Sequence, residues 1–165
     1  MLFRSSSGGY LYFVTNQYAS TSYQQPAQNT TTSFTWCAWL YPVNNSDPPI
    51  LGHRNSTLNF TNLTSNKFEY YPTNVGGTMT LNTWQNISIV KENTNITYYK
   101  NGTSSATGTS SSTKTALPFF IGGDNTAVPA EYSNCRVAVV QIYHRALSLA
   151  EVQQNYNANK TRFGL

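Results

Sequence analysis

"FTWCAWLYP", Phe34 to Pro42, decides how the rest of this 165-residue chain is read. Successive residues of a strand point to opposite faces, so Phe34, Trp36, Ala38 and Leu40 share one face while Cys37 and Trp39 share the other. Both faces are apolar, which is the pattern of a central strand covered on two sides. Pro42 ends the run, and "NNSDPP", residues 44–49, reads as a turn cluster.

Shorter strands flank this one. After a flexible lead over residues 1–9, "YLYFVTNQYASTSY" (10–23) reads as a strand pair or a bent strand, and "QQPAQNTTTS" (24–33) as a loop. "ILGHRN", "STLNFTNL", "KFEYYP" and "GTMTL" follow at the spacing of a sandwich or jelly roll. "TWQNISIVK" (83–91) alternates. "NITYYKNGTSSATG" (95–108) reads as a hairpin in which Asn101-Gly102 supplies the two positive-φ residues of a type I′ turn. "LPFFIGG" and "CRVAVVQIY" are the last two strands expected, in a single domain over residues 10–165.

The segment after them is different. Ser148 and Glu151 have the spacing of a capping box, and Leu147 and Val152 that of a hydrophobic staple. A helix of two to three turns is unstable alone, so it must dock on the sandwich.

Composition restricts the function. Charged residues are 10% of the chain and aromatic residues 14%, which describes a neutral polar surface over an aromatic core, as in extracellular or virion domains. The net charge of +4 comes from scattered residues, with Lys160 and Arg162 the one close cluster. Nucleic acid, whose phosphates need a basic stripe, is therefore not an expected partner. The run Tyr10–Val14 is too short for a secretory signal, and no run is long enough for membrane insertion. A mature fragment, an unconventional exporter or a viral protein would fit. Cys37 and Cys135 could form one long-range disulfide or serve as small buried residues.

Taken together, several pieces resemble a known family. "TWQNISIVKENTNITYYKNG" resembles the Trp-led strand and Asn-Gly hairpin of laminin-G-like, concanavalin A-like jelly rolls, and "FFIGG" the strand after it. "VAVVQIYHRALSLAEVQQNYN" is similar to the family's closing strand and helix, and "FTWCAWLYP" to its central strand. The resemblance implies an all-β, two-sheet antiparallel jelly-roll sandwich with one short C-terminal helix, in a non-catalytic module that binds carbohydrate or protein. "YNANKTRFGL" (156–165) resembles the tail of phage and large-virus members, which implies a virion surface or tail component, or otherwise an extracellular one. The chain departs from the family at Val14-Thr15, where a polar turn is usual, at Cys135 for glycine, at Val139 for an acidic residue and at His144 for Asn.

Enzymatic chemistry finds little support. The six carboxylates are Asp47, Glu69, Glu92, Asp124, Glu131 and Glu151, and no strand carries the carboxylate pair that a retaining glycosidase requires. His53 and His144 are isolated, read first as ordinary hydrogen-bonding residues, and no zinc spacing occurs. Calcium is the one candidate cofactor, with Asp47 and Asp124 as loop carboxylates, although turn formation explains both equally.

Sugar binding needs aromatic faces and polar groups at loops. Tyr70, Tyr71, Trp36 and Tyr132 are the aromatic candidates, with His53, Arg54, Asp124 and Asn125 for hydroxyls. Trp36, Trp39 and Trp84 are read first as core. Since Tyr70 and Tyr71 are adjacent in a strand, one of the two is expected to be exposed. Nine Asn-x-Ser/Thr sequons, beginning at Asn29, Asn44, Asn55, Asn59, Asn62, Asn86, Asn95, Asn101 and Asn159, follow from a composition rich in these residues. The expected function is a surface-display module adhering to host-surface glycan. The rivals are a structural capsid or tail decoration protein bound to neighbouring virion proteins and, more weakly, a glycoside hydrolase. Assembly as a homo-oligomer stays open.

Overall fold

The computed structural model describes residues 2–4, 9–14, 17–44, 46–53, 59–64, 66–70, 73, 75–124 and 131–165, with 2–4, 46–48, 53, 59–64, 124 and 131 as backbone alone. The strands are β1 (Leu2–Arg4), β2 (Leu11–Phe13), β3 (Ala19–Gln25), β4 (Phe34–Pro42), β5 (Ser46–His53), β6 (Asn59–Thr64), β7 (Lys67–Tyr70) and β8 (Gly76–Thr78). They continue as β9 (Gln85–Glu92), β10 (Asn95–Lys100), β11 (Thr103–Thr109), β12 (Leu117–Ile121), β13 (Gly123–Asp124), β14 (Glu131–Tyr132) and β15 (Cys135–Tyr143). Helix α1 (Leu149–Asn157) and a 3-10 turn (Lys160–Phe163) close the chain.

Two antiparallel sheets face each other. One runs β1-β15-β4-β9-β10-β11 with β2 also paired to β15; the other runs β3-β12-β5-β6-β7-β8. Strand β4 sits between β15 and β9, as its doubly apolar pattern requires. Phe34, Trp36, Ala38 and Leu40 enter the inter-sheet core beside Ile87, Ile89, Phe119 and Ile142. Cys37 and Trp39 point outward, where Leu147 and Val152 cover the first and Tyr156 and Phe163 the second. Ser148 caps α1 with Glu151 in a reciprocal box, and the staple residues Leu147 and Val152 are both buried. The outer face thus explains the helix.

The hairpin turn has Asn101 at φ 50° and Gly102 at φ 75°, as a type I′ turn demands. A side chain at Gly102 would also come within 3.2 Å of the Tyr156 ring, so the turn tucks beneath α1.

Three sequence expectations change, and the open question of the cysteines closes. "NNSDPP" is not a turn throughout, because strand β5 already begins at Ser46. Pairing with β6 shifts register on both sides of Pro49, which is how a strand accommodates prolines that lack an N–H. Leu2–Arg4, within the stretch read as a lead, pairs with β15 as β1. Gln24 and Gln25, read as loop, finish β3. The cysteines are free: Cys37 lies opposite Gln141 whereas Cys135 lies opposite Pro42, and they occupy different clusters on opposite faces of one sheet. No disulfide reaches across that separation.

Candidate functional site

The residues proposed from sequence divide between two ends of the six-stranded sheet. Leu51 and Gly52 lie opposite Ile121 and Phe120, and Gly122 N–H donates to the Ile50 carbonyl at 2.8 Å, so β13 and β14 continue beside the first half of β5. The backbones of Asp47, Asp124 and Tyr132 therefore share one end. His53 lies at the other, five or six residues or about 17–20 Å along the strand. Arg54, Tyr71 and Asn125 fall outside the described residues, as do the side chains of His53, Asp47 and Asp124. Among the described residues no three His, Cys, Asp or Glu side chains gather as a metal site.

Tyr70 and Trp36 are not sugar platforms. Tyr70 is wholly buried, with its ring 5.7 Å from Trp36 and 5.4 Å from Phe34, and its hydroxyl donates to Gln28 Oε1 at 2.5 Å. Burial pushes its phenol well above the usual value, with the neighbouring Tyr98 adding to the effect. Alternation within β7 turned Tyr70 inward. Tyr132 is half-buried, 6.3 Å from the Tyr18 ring.

Above that aromatic cluster the sandwich end opens into a pocket of about 240 Å³. Phe34, Trp36 and Ile142 form its floor, while Tyr23, Gln25, Ser33 and His144 supply polar walls. Strand β3 delivers Tyr23 and Gln25 to the same face, two residues apart. The Tyr23 hydroxyl and His144 Nε2 are hydrogen-bonded at 3.1 Å on the rim, with the rings at 72°. Gln25 is 3% exposed, and its Nε2 has no hydrogen-bond partner. A buried amide donor left unmatched costs about 1–3 kcal/mol.

Two buried lysines brace the wall. Lys91 Nζ donates to the carbonyls of Asn29 and Thr32 at 2.9 Å each and to that of Asn93. Asn29 Oδ1 in turn accepts from the N–H groups of Thr31 and Thr32, which shapes the loop. Lys114 lies 4.8 Å above the Tyr70 ring, exchanges backbone hydrogen bonds with Gln28, and is brought down to about 8 by burial.

A second feature lies on the outer face of the seven-stranded sheet. Arg136 on β15 stands opposite Tyr12 on β2 and Tyr41 on β4, and Trp84 follows beside Tyr41 at 5.7 Å. The guanidinium lies 4.5 Å from the Tyr41 ring, 5.2 Å from Tyr12 and 5.3 Å from Tyr10. Tyr10 and Tyr12 are each 46% exposed. Trp84, read as core, is only half-buried, with Phe163 of the tail packed against it at 4.7 Å.

Sequence reasoning missed both features. Extending the alternation of β3 two residues past Tyr23 would have turned Gln25 inward. Nothing in the sequence marked its amide as unpaired.

Comparisons with known proteins accord with this architecture. A family profile described as the concanavalin A-like lectin/glucanases superfamily, of laminin-G type, matches residues 13–153. No curated protein matches the chain significantly. Among solved structures, a heptameric SAP-like pentraxin from Limulus polyphemus is similar at 15% identity and TM-score 0.62, over 92% of this chain and 81% of that one. The binding domain of botulinum neurotoxin serotype G is similar at 14% identity and TM-score 0.60, over 95% of this chain and 48% of that one. Trypanosoma rangeli sialidase matches at 16% identity and TM-score 0.62 over 78% of this chain, which spans only 23% of the sialidase. At such identities the likeness shows the fold. With the family profile spanning most of its length, the chain belongs to the concanavalin A-like lectin/glucanase superfamily.

Proposed function

We propose that this protein is a non-catalytic glycan-binding module that takes a sugar in the pocket at the sandwich end. The observation that carries the reading is the pocket itself, lined by Phe34, Trp36 and Ile142 with the hydrogen-bonded Tyr23 hydroxyl and His144 Nε2 on its rim. Aromatic surface with a few convergent polar groups is what sugar recognition uses. No Asp or Glu is among the described residues lining the pocket, which favours binding over glycoside hydrolysis. The setting we propose is a virion surface, a reading supported by the resemblance of residues 156–165 to virion proteins.

A glycan array probed with the wild-type chain and with Tyr23→Ala tests the reading. Glycan signals that vanish in the folded variant are expected; signals that persist unchanged would remove the pocket from the function.

The exposed row favours a second reading, in which the module docks on a neighbouring virion subunit. Tyr, Trp and Arg concentrated on one patch are the composition of interface hot spots. Tyr10→Ala with Tyr12→Ala should then release the protein from particles while leaving glycan signals intact. Retention on particles by this double variant would end that reading.

A further inference from the structure

The aromatic row on the outer face of the seven-stranded sheet holds an unpaired charge, and we infer that it docks on a protein segment presenting an aspartate or glutamate carboxylate to Arg136. This rests on the docking reading of the same row. Cys135 and Val137 enter the inter-sheet core, so alternation turns Arg136 outward, directly opposite Tyr12 on one neighbouring strand and Tyr41 on the other. Strand spacing puts those two tyrosines about 10 Å apart with Arg136 between them. Tyr10 brings a third ring within 5.3 Å of the guanidinium.

A guanidinium has five N–H donors, and among the described residues Arg136 finds no acceptor for any of them. Its Nε is shut in without a hydrogen bond, whereas the Nη groups of this half-buried side chain are not closed off, so a partner meets the open end of the fork. Nor does a described carboxylate pair with it. Glu151 is held by Arg145, Glu69 is buried in the other sheet, and Glu92 lies at the far end of β9. The rings keep water from the charge, which strengthens its attraction to an anion. A carboxylate matches the fork in shape and in charge, accepting from both Nη groups at once. A phosphate would call for a second cation, and Arg162 of the tail donates to the Gly9 carbonyl instead. The row itself contains no amide or carboxylate for sugar hydroxyls, while its flat rings suit the apolar neighbours of an acidic residue in a protein segment.

The test titrates the whole chain by NMR with the end-blocked tripeptide Leu-Asp-Phe and with its Asn and phosphoserine counterparts. At least tenfold tighter binding of the Asp peptide than of the other two is expected, with shifts centred on Tyr10, Tyr12, Tyr41 and Trp84. Arg136→Gln should remove the preference, and Arg136→Lys, which keeps the charge without the fork, should lose most of it; each is checked for folding by circular dichroism. Lys67→Gln, which removes an exposed charge from the other sheet, should keep it. Equal binding of the Asp and Asn peptides, tighter binding of the phosphoserine peptide, no binding of any, or a full preference in a folded Arg136 variant overturns the inference. Particle retention separates it from the docking reading. Release of the Tyr10→Ala, Tyr12→Ala double variant with full retention of Arg136→Gln would sink the carboxylate and leave docking standing, whereas retention of both would sink the two together.

Discussion

Phe163 lies flat on Trp39, with ring centroids 4.2 Å apart and planes 20° from parallel. Tyr156 stacks on the same indole at 5.8 Å and 16°, so two rings from the last ten residues cover a tryptophan that strand β4 directs away from the inter-sheet core. Trp39 Nε1 is buried without a hydrogen bond, which leaves stacking and apolar contact to hold the indole. The C-terminal tail therefore acts as a lid of the outer face, and its sequence is constrained by packing there.

Phe163→Ala should uncover that indole. A fully buried Phe loses roughly 3–5 kcal/mol on truncation, and because Phe163 is half-buried the expected loss is about 2 kcal/mol. Thermal denaturation should show the lower Tm, and tryptophan emission of the folded variant should move to longer wavelength. Unchanged emission would mean that Tyr156 alone covers Trp39.

Acid should loosen the α1 cap. Bidentate contact with Arg145, then hydrogen bonds from the Ser148 backbone and side chain, hold Glu151 down to about 2 from 4.5. With the folded value below the unfolded one, the unfolded chain binds more protons between them, so the stabilisation is complete above about 4.5 and is lost as pH falls through about 2. Glu151→Gln should remove that part of the acid dependence of Tm, and an acid profile identical to wild type would refute the linkage. Ser148→Ala, which removes the N-cap oxygen, should cost about 1 kcal/mol at neutral pH.

Both thiols should be silent in the folded protein. Burial pushes Cys37 up to about 11 and Cys135 up to about 12, against the opposing hydrogen bonds of Asn155 to Cys37 and of Ser133 with Cys135. At pH 8 an aromatic disulfide reagent should label neither cysteine in the native state and both after guanidinium unfolding. Raised thiol values also mean that stability falls as pH rises above 9 toward those values, since the unfolded chain releases the protons first. Rapid labelling of the native protein would contradict the buried placement.

Legibility in the sequence tracked the strength of local pattern. The doubly apolar β4, the Asn101-Gly102 turn and the Ser148–Glu151 box each carry their structural consequence in adjacent residues, and the molecule has all three. The pocket is of another kind. It joins Gln25 from β3, Phe34 from β4 and His144 from beyond β15, and that juxtaposition is a product of sheet stacking, not of any spacing along the chain. Tyr70 shows the converse failure: an aromatic pair signalled an exposed face, but two-residue alternation alone does not say which member faces out, and Tyr70 went to the core. Pro48-Pro49 misled for a similar reason, because register shifts in β5 absorb prolines that a short window reads as a turn.

Lys91 links the stability of the fold to the pocket. It is 1% exposed, and its ammonium holds the carbonyls of Asn29, Thr32 and Asn93 from beneath the loop that walls the pocket. Burial lowers its affinity for the proton, and the three carbonyl acceptors compensate the charge by hydrogen bonding. Lys91→Met keeps the chain length and apolar stem while removing every donor, so the loss should be about 1–3 kcal/mol for acceptors left unmatched. Residues 29–33 then lose their anchor, and Thr32 and Ser33 no longer stand at fixed positions on the wall. The glycan-array signals of the wild-type chain should therefore weaken in Lys91→Met at a temperature where the variant is still folded by circular dichroism. A variant with lowered Tm but wild-type affinity would show that Phe34, Trp36 and Gln25 fix the pocket without the loop.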